Sequence, residues 1–175
     1  MSADNEEHAE SLGSKLVKAL KNSAGSGKRE IEVEHEGSTA RAKVHGAGPY
    51  GSSVDRFTVV GPARERSEEQ AGEEVERQAA QIEDKVTYLP ERLRQHEIAP
   101  GLSKGVLRSH PDELRNREYN EVELRGGGEI DVSRYRYNKK GGGRRRIPQP
   151  YSHETLERLA DDLADALEPE VSDDR

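Results

Sequence analysis

Leu12, Leu16, Ala19 and Leu20 recur at helical spacing with Lys15, Lys18 and Lys21 opposite, and predict an amphipathic helix over about 7–21. The run NSAGSGK (22–28) then reads as a flexible Gly/Ser connector from which this helix docks or swings. After it the period drops from 3.6 to 2. Ile31 and Val33 alternate with glutamates, Glu36-Gly37-Ser38 turns the chain, and Ala40, Ala42 and Val44 alternate with Arg41 and Lys43. That pattern is a hairpin with one polar face. The run GAGPYGSS (46–53) reads as a loop, and Val54 to Val60 as a third strand stopped by Gly61-Pro62.

A second helix begins at Ser67, with Gln70 placed to complete a capping box and Ala71, Val75, Gln78 or Ala79, and Ile82 marking a thin buried stripe. Over 85–111 the pattern favours short extended pieces at 86–89, 93–98 and 105–108, separated by Pro90 and Pro100. A hairpin follows, 119–124 with 129–137 across Gly126-Gly127-Gly128. The apolar phase shifts from Ile130 and Val132 to Tyr135 and Tyr137, so a bulge near Ser133 is expected to keep all four on one core. A strand over 144–147 returns, closed by Pro148 and Pro150. Ser152 then caps a helix carrying Leu156, Leu159, Ala160, Leu163 and Leu167, ended by Pro169.

The elements sum to an α+β class: an antiparallel sheet of six or more short strands covered by two or three helices. One domain over 7–168 is expected, with a disordered tail at 1–6 and an acidic disordered tail at 169–175. The segments 29–83 and 117–168 echo each other weakly as βββα units, Glu32-Val33-Glu34 with Gly37 matching Glu121-Val122-Glu123 with Gly126.

Charge changes this picture at one place. The chain carries net −7, yet 134–146 (RYRYNKKGGGRRR) holds seven cations and no acid. A concentrated positive loop attracts anions whatever the global charge. The candidate binding residues are therefore Arg134, Tyr135, Arg136, Tyr137, Lys139, Lys140, Arg144, Arg145 and Arg146. Their first candidate partner is the chain itself, since 154–175 holds nine acids against two arginines. Pairing with Asp161, Asp162 or Asp165 would put Arg134 and Arg136 on the outer face and turn the tyrosines inward. The competing readings are an acidic protein, or nucleic acid, with the lysines and arginines on phosphates and Tyr135 or Tyr137 stacked on a base.

Catalytic chemistry finds no foothold. With no cysteine there are no disulfides, thiol nucleophiles or thiolate metal sites. His8, His35, His45, His96, His110 and His153 are scattered, without metal-ligand spacing. The acids of the last helix face away from its leucines, as a solvated face would. Neither glycine triplet sits between a strand and a helix N-terminus, and GAGPYG lacks the third glycine and following helix that a phosphate loop needs. No catalytic residue, metal site or cofactor is assigned. The polar, acidic start and the absence of an apolar run near 18 residues imply a cytoplasmic chain with no membrane partner.

In element order and acidity the chain is similar to the specialised chaperones of bacterial secretion systems, which dimerise and hold an unfolded stretch of another protein. The similarity carries no residue across and implies an acidic dimeric binding protein. The sequence thus reads as a non-enzymatic interaction protein whose partner is another protein or a second copy, with nucleic-acid binding through the hairpin as the alternative.

Overall fold

The computed structural model describes residues 9–109, 118–138, 140–141 and 143–169. In chain order the elements are α1 (Leu12–Asn22), β1 (Gly25–His35), β2 (Ser38–Ala47), β3 (Gly51–Val60), α2 (Glu68–Lys85), β4 (Leu93–Ala99), β5 (Lys104–Ser109), β6 (Glu118–Arg125), β7 (Glu129–Asn138), β8 (Gly143–Ile147), β9 (Gln149–Ser152) and α3 (His153–Leu167). The nine strands of the described residues join one antiparallel sheet, seven in the order β1-β2-β3-β7-β6-β5-β4 with β8 on β7 and β9 on β3, and the fold is α+β as the sequence implies.

Helix boundaries follow capping chemistry. Ser11 and Ser14 form a reciprocal capping box, so α1 begins at Leu12 and residues 9 and 10 before it are not helical, while 7 and 8 lie outside the described residues. Ser67 and Gln70 do the same for α2, and the Ser152 hydroxyl accepts the Thr155 amide of α3. The apolar stripes of all three helices and the inward faces of the strands form a single core, with Phe57, Leu107, Leu124 and Ile130 fully buried under Leu16, Ile82, Leu159 and Leu163. Burying each such side chain contributes about 1.5–3 kcal/mol. Helix α1 lies on β1 and β2, α3 on β3 and β9, and α2 on β4 to β6. Where α1 crosses α3, Gly13 sits directly on the Glu157 carbonyl, and Asp161 accepts the Ser11 hydroxyl and the Gly13 amide at 2.9 and 2.8 Å. Tyr88 donates to Asp162 at 2.7 Å. Two acids expected to face solvent on the last helix are therefore packing ties.

Several expectations are corrected. The Gly/Ser run is no connector from Gly25 onward, because Gly25 and Ser26 pair with Ala47 and Gly46 and the extra residues form a bulge before Arg29. The second loop shrinks to Gly48–Tyr50, its flanks being taken into β2 and β3. Residues 86–89 form no strand; Val86 and Leu89 instead enter the core from an irregular segment. The tail residues 1–6 and 170–175 lie outside the described residues.

The largest correction concerns the bulge near Ser133. The β6–β7 register runs unbroken from Glu118↔Arg136 to Arg125↔Glu129. Strict alternation then carries Tyr135 and Tyr137 to the face opposite Ile130 and Val132. The chain accommodates this by forking the sheet. Strand β3 pairs with β7 only over Phe57–Val60, and beyond that point the two separate. Strand β8 enters the gap along β7, Pro148 breaks the ladder, and β9 leaves it along β3. Pro148 thus marks the apex of a V, not the end of the sheet.

Candidate binding surface

Seven of the nine hairpin residues singled out from sequence lie on β7 and β8; Lys140 lies in the turn between these strands, and Lys139 is outside the described residues. Their faces are the reverse of those expected. Arg134 and Arg136 point to the helix-bearing side. Arg134, with only 11 % of its side chain exposed, binds both carboxylate oxygens of Glu91 at 3.2 and 3.3 Å and reaches Glu118 at 3.4 Å. Arg136 donates to Glu118 at 2.9 and 2.5 Å. The Arg136 hydrogen bond, with Arg134 beside it, outweighs partial burial and holds the Glu118 carboxyl below its ordinary range.

The tyrosines occupy the helix-free face. Tyr119 on β6 and Tyr135 on β7 are cross-strand neighbours, with ring centroids 6.0 Å apart. The Arg144 guanidinium lies 3.9 Å over the Tyr135 ring and donates to the Glu121 carboxylate at 2.6 Å and the Tyr119 hydroxyl at 3.1 Å. Arg108 approaches the same carboxylate at 2.9 Å and lies 5.4 Å over Tyr119. Tyr137 is 48 % exposed.

Three cations remain among the described residues of the hairpin. Among the described residues Arg146 meets only tyrosine, its guanidinium 3.3 Å from the Tyr135 hydroxyl. The Arg145 side chain has no hydrogen-bond or ion-pair partner among the described residues and stands opposite Arg136 in the β7–β8 ladder, a like-charge pair that costs stability. The Lys140 amide bonds Asn138, and its ammonium meets no carboxylate among the described residues. Among the described residues no ion pair joins this hairpin to α3, so the expected pairing of its described cations with Asp161, Asp162 or Asp165 is corrected. The acids that serve it are Glu91, Glu118 and Glu121. The last two were within reach of sequence reasoning: counting outward from the Gly126–Gly128 turn places Glu118 opposite Arg136 and Glu121 on the tyrosine face.

The centre of the helix-free face is built of paired charges. A ladder of Glu32, Arg41, Thr58, Asp131 and Glu123 runs across five strands. Asp131 is nearly buried and is held by Arg56 at 3.0 and 3.1 Å, by Arg125 at 3.0 Å and by the Thr58 hydroxyl at 2.5 Å. Burial opposes its ionisation, but the Arg56 and Thr58 hydrogen bonds and the two guanidinium charges prevail, and its carboxyl titrates below the ordinary range. The shallow recess beside it, about 270 Å³, is lined by Glu30, Arg41, Arg56, Thr58 and Glu129 together with Lys43, whose ammonium meets no carboxylate among the described residues.

The described histidines stand apart: His45 on Asp55 at 2.6 Å, His35 beside Glu36, His96 on Arg108 at 3.1 Å, and buried His153 at 3.4 Å from the Ser52 hydroxyl. Among the described residues no group of three His, Asp or Glu side chains is placed to hold a metal ion, and no helix is long and apolar enough to cross a membrane. No family model, curated protein or solved structure matches this chain.

Proposed function

We propose that this chain is a non-enzymatic interaction protein that engages its partner through the β7–β8 hairpin. One observation carries the reading: Lys140, Arg145 and Arg146 have no carboxylate among the described residues, while Arg134, Arg136 and Arg144 beside them are tied to Glu91, Glu118 and Glu121. The anchored arginines hold the hairpin in place. The others are left for a ligand of negative charge, with exposed Tyr137 beside them as an amphipathic contact of the kind that dominates interfaces. Guanidinium groups keep their protons at neutral pH, which suits recognition and not acid–base catalysis.

A second reading, nucleic acid, is favoured by the tyrosine face, where aromatic rings and a stacked guanidinium offer π surfaces to a base. Affinity capture with the full chain separates the two. Wild type should retain a partner that the Arg145→Ala/Arg146→Ala variant loses. Loss only after nuclease treatment would select the second reading, and capture indifferent to the double substitution would exclude the hairpin.

A further inference from the structure

Among the described residues strand β8 pairs on one side only. Its five residues, Gly143–Ile147, bond β7, and the fork keeps β3 and β9 away from its other edge. Gly143 to Arg146 are all exposed, and no turn or loop hydrogen bond among the described residues takes up their outward amides and carbonyls. A row of unpaired main-chain groups is a template for another strand. The side chains along this edge are almost all cationic and alternate in direction: Arg144 and Arg146 on the tyrosine face, Arg145 on the helix-bearing face.

Resting on the reading of the hairpin as the contact surface, we propose that β8 receives an extended acidic peptide segment of a partner protein as an added strand. Main-chain hydrogen bonds supply affinity, and alternate side chains supply specificity. Because Arg145 and Arg146 point to opposite faces, a strand laid beside them meets both only if it carries acids at consecutive positions. The recognised feature is therefore a run of two or three adjacent Asp or Glu residues within about five extended residues, the length of the edge. An acid beside Arg145 also offsets its repulsion from Arg136. Tyr137, cross-strand to Arg144 on the same face, can cover an apolar residue flanking the run. A polynucleotide would use the same charges but would leave the strand edge unpaired, and the free edge decides for a peptide.

The test uses the full chain and labelled 12-residue peptides with a Glu-Asp-Glu core flanked by valine and threonine. Anisotropy should report binding that falls at least roughly ten-fold when the core backbone is N-methylated, since that removes the donors of an added strand. Hydrogen exchange at Gly143–Ile147 should slow in the complex. In the Arg145→Glu/Arg146→Glu variant, whose unchanged thermal midpoint verifies folding, acidic-core binding should be lost and binding to a Lys-Lys-Lys core gained. Binding indifferent to N-methylation, or without protection of 143–147, would overturn the added strand. Failure of the peptides, or binding of a dT12 oligonucleotide in their place, while capture still depends on Arg145 and Arg146, would overturn this inference and leave the contact surface standing. Failure of both assays would remove both.

Discussion

Arg144 and Glu121 are bonded at 2.6 Å although a whole strand, β7, lies between their backbones. The guanidinium bridges that strand by lying flat on Tyr135, so one side chain ties the outer strand of the hairpin to β6. Its neighbour Arg145 makes no such tie. The contrast separates cations that build the hairpin from cations that are left to act.

Arg144→Ala should therefore cost about 1–3 kcal/mol, the range for losing a charge-assisted hydrogen bond that leaves a buried carboxylate under-paired. Arg145→Ala should stay within about 0.5 kcal/mol. Urea denaturation of the two variants checks this, and equal losses would erase the distinction.

Gly13→Ala should destabilise despite alanine's better helix propensity. A Cβ at Gly13 would overlap the Glu157 carbonyl oxygen of α3, which is backbone and cannot swing aside. Forcing α1 from α3 should cost about 1–3 kcal/mol and strain the Asp161 contacts. A thermal midpoint at or above wild type would mean that the crossing is looser than the structure has it.

The helices, the Gly126–Gly128 hairpin and the sheet class were legible because local signals and tertiary packing agree there. Ser67 with Gln70, and Ser152 before Leu156 and Leu159, specify their ends with no help from distant residues. The tyrosines misled because an apolar phase shift was assigned to a bulge, when the fork lets β7 keep strict alternation and pass from core to open sheet. Nothing local in 134–138 reveals that β3 has departed. The same limit explains Asp161 and Asp162: helical periodicity shows which face is apolar, not that Gly13 brings another helix onto Asp161 or that the segment after α2 brings Tyr88 onto Asp162.

His153 makes acid destabilise the junction of β3, β9 and α3. Its ring is buried, and burial, with Lys21 nearby, lowers its pKa below the ordinary 6.5, partly offset by the nearby Pro49 backbone. The unfolded chain thus takes up the proton first as pH falls. Stability from this residue is complete above about 6.5, where the unfolded ring is neutral, and declines below it. Thermal midpoints at pH 7.5 and 5.5 should separate more for wild type than for His153→Gln, and equal separation would assign the acid sensitivity elsewhere.

Asp131 acts at lower pH. Its folded carboxyl titrates below the ordinary 3.8 because Arg56, Thr58 and Arg125 outweigh the cost of its burial. Its contribution should be fully present above about 3.8, the unfolded value, and vanish as pH falls through the depressed folded value. Asp131→Asn keeps the shape and one acceptor oxygen but loses the charge, so at pH 7 it should cost about 1.5–3 kcal/mol, the range for hydrogen bonds to charged groups. Glu118 is also depressed and adds its own acid sensitivity to both proteins, so the informative quantity is their difference. Urea denaturation at pH 7, 3.5 and 2.5 should show the gap narrowing toward zero as acid neutralises the wild-type carboxylate. A gap constant across that range would mean that packing at this position, and not its charge among the guanidinium groups, holds the centre of the sheet.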